Sequence, residues 1–259
     1  MKKVHSRKHT TAMPDDGIII QARKLVKKFG SRTVLRQIDL QVKKGDLWAL
    51  FGPNGAGKTT LIQILSSLML PTSGEARISG FDPRYDREAI HRRIGLISHD
   101  PFLYDHLSAF ENLKFYAMMY DIPKPEEKIK GLLKRVGLIE FQSYLVQTFS
   151  RGMKQRLSIA RAIIHDPCLL FLDEPYNGLD QKGIEDLKQL LEGFKKERKT
   201  IIMTSHHLER ALELCTHAAI LKSGRLVHEQ NMQEIFAGDF KQAYFRHTQQ
   251  EPSPLRVAV

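Results

Sequence analysis

Two cysteines are all that the 259-residue sequence contains: Cys168 in CLLFLD and Cys215 in ELCTHAAIL, with neither C-x-x-C nor metal-ligand spacing. A disulfide framework and a cysteine-built zinc site are thereby excluded. Both thiols read as buried groups of a reducing compartment, which points to the cytoplasm. No stretch reaches the roughly 18 to 20 apolar residues that a membrane helix needs. The opening MKKVHSRKHTTAMPDDG is basic but has no apolar core, so neither a membrane span nor a secretory signal is expected. A zinc knuckle, an aromatic RNP-like run, a basic helix with interleaved aromatics and internal repeats are also lacking. Specific nucleic-acid binding is therefore not expected.

Positive charge, by contrast, is abundant: 40 Lys and Arg stand against 29 Asp and Glu, a net charge of +11. Much of it lies early in the chain, at Lys2, Lys3, Arg7, Lys8, Arg23, Lys24, Lys27, Lys28 and Arg32, opposed there by Asp15 and Asp16. That excess suits proximity to an acidic membrane surface. With 42% hydrophobic and 27% charged residues the composition is that of a globular protein able to bury a sizeable core.

Periodicity divides the chain. Ile18 to Ala22, Lys24 to Phe29, Ile38 to Val42 and the apolar run Asp46 to Gly52 read as strands joined by tight turns. Thr59 to Leu70 has helical spacing and stops at Pro71. Residues 106–165 look predominantly helical, with Pro123 and Pro125 separating Phe110 to Tyr120 from Glu126 to Val136, and a third segment from Ser150 to His165. Strand patterns return at Cys168 to Asp173, Thr200 to Ser205 and His217 to Gly224, alternating with helices at Gly183 to Glu197 and His207 to Cys215. The alternation predicts an α/β fold with a mostly parallel sheet covered on both faces. The end, from Glu251, has no periodicity and reads as a loose tail.

The chemistry begins at Gly52-Pro53-Asn54-Gly55-Ala56-Gly57-Lys58-Thr59, which fits G-x-x-x-x-G-K-[ST] between an apolar strand and a helix. Glycines let backbone N–H groups turn inward around phosphate oxygens. Asn54, Gly55, Ala56, Gly57, Lys58, Thr59 and Thr60 are thus expected to bind the nucleotide, Lys58 at the outer phosphates and the Thr59 hydroxyl at Mg²⁺. A second apolar strand ends in Asp173-Glu174, at the carboxyl edge where open parallel sheets hold their ligands. Asp173 is expected at Mg²⁺ and Glu174 as the base that polarises the attacking water.

In these motifs, from about residue 18 to 230, the sequence resembles the ATP-binding cassette family. The resemblance implies a P-loop core with an antiparallel β subdomain and a helical subdomain at about 100–165, a basic tail before it (1–17) and a short helical extension with a loose tail after it (231–259). Phe149-Ser150-Arg151-Gly152-Met153 occupies the place of the family's L-S-G-G-Q signature, matching it at Ser150 and Gly152. Asn177 to Asp180 resembles the D-loop, and Thr204-Ser205-His206 the switch-histidine segment, with His206 at the γ-phosphate. Phe29 takes the place of the adenine-stacking aromatic, with Val34 nearby. His99 replaces the usual glutamine, which puts its metal contact in doubt. Phe102-Leu103-Tyr104 and Phe110 to Leu113 look like the groove for a transmembrane partner.

The resemblance further implies a head-to-tail homodimer holding two MgATP and driving separate membrane permease subunits, as a peripheral ATPase on the cytoplasmic face. Phe149 to Met153 and Leu208 to Glu213 are similar to exporter-type cassettes, including haem exporters of cytochrome c maturation. Two alternatives stay open: a soluble cassette ATPase acting on nucleic acid or ribosomes, and a non-hydrolysing nucleotide sensor.

Overall fold

A computed structural model describes residues 17–98, 100–233 and 237–248. The flanking basic tail and the final tail lie outside the described residues, as does His99.

The first strands, β1 (Ile18–Phe29) and β2 (Arg32–Lys43), form an antiparallel hairpin around Gly30-Ser31. The chain continues into β3 (Leu47–Phe51), α1 (Lys58–Leu65), β4 (Ser73–Ile78), α2 (Arg87–His91) and β5 (Ile94–Ile97). Three helices follow, α3 (Ala109–Met119), α4 (Glu126–Arg135) and α5 (Arg151–Ile163). After them come β6 (Leu169–Asp173), α6 (Gln181–Lys196), β7 (Thr200–Thr204), α7 (Leu208–Leu212), β8 (His217–Lys222), β9 (Arg225–Asn231) and α8 (Ala237–Thr248). Strand β4 adds to the hairpin as an antiparallel sheet in the order β2-β1-β4. The main sheet runs β5-β6-β7-β3-β8-β9, parallel except for the β8–β9 hairpin at its edge.

The apolar runs LWALF, LLFLD and TIIMT are buried at every position because both faces of this sheet are covered. Alternate residues serve different cores. Ala49, Phe51, Leu170, Leu172, Ile201 and Met203 pack with the helical block and α6. Trp48, Leu50, Leu169, Phe171 and Ile202 pack with α1 and the antiparallel sheet. Burying one such side chain stabilises the fold by roughly 1.5–3 kcal/mol. Both layers therefore hold the carboxyl ends of β3, β6 and β7 in a fixed row.

Three expectations need correction. Helix α1 stops at Leu65 rather than Leu70, because Ser67 turns left-handed (φ +55°). Leu68 and Leu70, which continue the helical spacing, are exposed. Cys168 precedes β6 and is exposed, so only Cys215 is a buried thiol. In Phe110 to Leu113, Leu113 and Asn112 are fully buried. The Asn112 amide bonds the Tyr104, Leu107 and Ser108 carbonyls, so Asn112 and Leu113 belong to the core while Phe110 is half-buried and Glu111 exposed.

Candidate nucleotide-binding site

The turn after β3 delivers its residues to the start of α1. Gly57 caps that helix in the left-handed region (φ +107°), with no side chain to bond its first N–H groups. Those N–H groups and the helix dipole form an anion cradle. The glycine is also sterically required: a β-carbon there would stand 2.7 Å from Leu35 Cδ2 and 3.3 Å from the Val34 carbonyl oxygen. Asn54, Gly55 and Thr59 are exposed, Thr60 is half-buried, and Ala56 and Lys58 are buried. The Lys58 ammonium bonds the Gly52 carbonyl (2.8 Å) and the Pro53 carbonyl (3.3 Å) and lies 3.8 Å from Glu174 Oε1.

Register places the carboxylates beside this loop. Asp173 pairs with Thr204 across β6–β7, and Thr204 pairs with Leu50 across β7–β3. Asp173 is buried, and its Oδ1 accepts the Thr204 hydroxyl at 2.6 Å. Glu174 is left-handed (φ +52°), its N–H donating to Thr204 Oγ1 at 2.9 Å. Its Oε2 accepts the His206 backbone N–H (3.2 Å) and His206 Nδ1–H (2.8 Å). Lysine, glutamate and histidine thus form one chain of contacts, with the imidazole half exposed. The neighbouring His207 is held below the ordinary imidazole range by burial, then by the nearby His206 and Arg210. Its ring lies edge-on to Tyr176, whose buried phenol is pushed up to about 12.

A Mg²⁺ ion fits these donors. It favours oxygen ligands, keeps waters and shares phosphates, and the two expected ligands, the buried Asp173 carboxylate and the exposed Thr59 hydroxyl, are oxygen donors of that kind. Among the described residues no three His, Cys, Asp or Glu side chains converge on a metal position.

The other expected residues fall in two further places. Val34 abuts the loop through its carbonyl, while Phe29 stands exposed at the tip of the same hairpin with the Lys27 ammonium 5.1 Å from its ring. Ser150 caps α5, its hydroxyl accepting the Met153 N–H at 3.3 Å. With Gly152 it lines a cavity of about 260 Å³ shared with Arg151, Gly178, Asp180 and Lys182, and none of residues 52–60 lines it. Gly178 is left-handed (φ +73°), and a β-carbon there would fall 2.6 Å from the Arg151 guanidinium. The arginine that interrupts the signature pattern therefore lies over the glycine of Asn177 to Asp180.

Thr204 was legible in the sequence only as the strand end and as part of Thr204-Ser205-His206, with no role of its own. The sequence signal for its role is a hydroxyl closing an apolar strand next to the histidine.

A family model described as "ABC transporter" matches residues 35–177. The chain is 39% identical over 224 residues to the lantibiotic transport ATP-binding protein SrtF of Streptococcus pyogenes, covering 84% of this chain and 96% of that protein. It is 43% identical over 212 residues to the bacitracin transport ATP-binding protein BcrA of Bacillus licheniformis, covering 82% and 69%. Among solved structures, an ATP-binding subunit of an ABC transporter superposes with TM-score 0.78 at 30% identity, covering 86% of this chain and 93% of that one. The dimeric post-hydrolysis state of the ATP-binding cassette MJ0796 with ADP and Pi superposes with TM-score 0.76 at 25% identity, covering 82% and 98%.

Proposed function

The chain belongs to the ABC transporter family as an ATP-binding subunit and ATPase, and on that premise we propose that it hydrolyses MgATP in a head-to-tail homodimer to drive separate permease subunits. The observation that carries this reading is the convergence of Lys58, Glu174 and His206 beside the glycine-rich turn. The N–H groups of Gly55 to Thr60 receive the phosphates, and Lys58 exchanges the Gly52 and Pro53 carbonyls for phosphate oxygens. Asp173 and Thr59 hold Mg²⁺, which when bound neutralises charge on the phosphates. Glu174 accepts a proton from the attacking water while that water's oxygen bonds to the γ-phosphorus. The bond from the γ-phosphorus to the bridging oxygen breaks, leaving ADP and phosphate. His206 orients the γ-phosphate, and Phe29 stacks on adenine with Val34 beside it.

Ser150 and Gly152 line a cavity separate from the phosphate loop, which supports their acting on the nucleotide of the partner subunit. The reading takes residues 18–230 as the ATPase domain and 231–259 as an extension, of which α8 packs against Phe51. Among the described residues no helix is long and apolar enough to cross a membrane; the likeness to transport ATP-binding subunits is what supports separate membrane subunits, driven from the cytoplasmic face. The docking groove is the cavity of about 250 Å³ lined by Leu96, Phe102, Tyr116, Tyr120, Arg161 and His165, with Tyr104 and Met118 exposed nearby. Export fits the two transport relatives, and peptide antibiotics of that kind are favoured over haem, for which only short segments speak.

Glu174→Gln tests the core of the reading. Turnover should fall by about 100-fold or more, as expected for loss of a general base, with ATP binding retained by calorimetry. An unchanged rate removes Glu174 from the mechanism.

A further inference from the structure

Thr204 is fully buried at the end of β7, between Asp173 on β6 and Leu50 on β3. Its hydroxyl has one proton to give and two lone pairs. The Glu174 N–H can only donate, so the hydroxyl oxygen accepts there, at 2.9 Å. The proton therefore goes to Asp173 Oδ1, at 2.6 Å, a length typical of a hydroxyl bonded to an ionised carboxylate. One group thus fixes the rotamer of the carboxylate and the backbone that turns Glu174 left-handed toward Lys58 and His206.

We propose that Thr204 is a positioning residue that sets the metal-side and base-side carboxylates together. The inference rests on the ATPase reading of Asp173 and Glu174. Thr204→Val keeps the branched shape and removes both hydrogen bonds, whereas Thr204→Ser keeps the hydroxyl and removes only the methyl group. Calorimetry with ATP would give each variant's affinity in Mg²⁺ and in EDTA, alongside steady-state turnover and thermal unfolding without nucleotide.

Wild-type protein should bind ATP more tightly in Mg²⁺ than in EDTA. Absence of that gain would overturn the metal reading of Asp173 itself. Given the gain, Thr204→Val should lose most of it and show a kcat lower by about 10- to 100-fold, with EDTA affinity within about twofold of wild type. Thr204→Ser should recover both. If the valine variant does not fold, Thr204→Ala against Thr204→Ser makes the same comparison, since those two side chains differ by the hydroxyl alone. A wild-type gain and kcat in the valine or alanine variant overturns the proposal. So does a serine variant as impaired as the alanine one.

Discussion

Among the described residues, the buried Lys58 ammonium bonds two loop carbonyls and stands 3.8 Å from one oxygen of Glu174, so its charge is not locked in a short ion pair there. Lys58→Ala should lower ATP affinity by about 10- to 100-fold, the worth of a charge-assisted hydrogen bond, measurable by calorimetry. Normal affinity would contradict the phosphate-loop assignment. His165 makes a different test. Its Nε2 faces the Ile94 carbonyl at 2.9 Å, so that nitrogen carries the proton, while Nδ1 is buried with no hydrogen-bond partner among the described residues and Tyr120 stacks on the ring. Burial lowers its pKa to about 4, below the unfolded value of 6.5. A folded pKa that is depressed leaves its stabilisation intact above pH 6.5 and removes it as the pH falls toward 4. Between pH 7.5 and pH 5 the wild type should lose about 1–2 kcal/mol more than His165→Phe in urea unfolding. Equal losses would contradict a neutral buried ring. Asp173, Glu174 and Lys58 were legible in the sequence because strand ends and glycine turns announce them. The Thr204 hydroxyl was not, because its partners are set by register between strands far apart in the chain.

Among the elements, the legible ones are those whose burial leaves no choice. LWALF, LLFLD and TIIMT must be apolar throughout because both faces are covered. The helical block was visible from its prolines, and α3 carries a full capping box at Ser108 and Glu111. Strand β9, RLVHEQN, was not expected, since at the sheet edge its exposed positions mix Val227 with Arg225 and Glu229 and leave no clean apolar alternation. The four-residue β5 and five-residue α2 are too short for periodicity to mark them. Helix α8 was expected only as a short extension, yet it packs on the strand that feeds the phosphate loop. Phe240 is fully buried, 5.5 Å from the Phe51 ring, and Lys241 bonds Glu209 of α7 at 2.8 Å. Phe240→Ala should therefore destabilise the protein by about 3–5 kcal/mol in urea unfolding. A loss below about 1 kcal/mol would mean that α8 is not part of the cooperative core.

At the scale of the whole molecule, the row of strand ends gathers Lys58, Asp173, Glu174 and His206, while Ser150 and Gly152 cap a separate cavity beside Asn177 to Asp180. On the proposed reading, a γ-phosphate held by both sets joins two copies of the chain, each supplying what the other lacks. The same reading has ATP close the pair, because it carries the phosphate that bridges them, and hydrolysis release it. The most direct test is light scattering on a sizing column with Glu174→Gln, which should hold ATP without turning it over, in ATP-Mg²⁺ and in ADP-Mg²⁺. The account predicts a dimer with ATP and a monomer with ADP. A monomer in both, with nucleotide demonstrably bound, would contradict the ATP-closed homodimer.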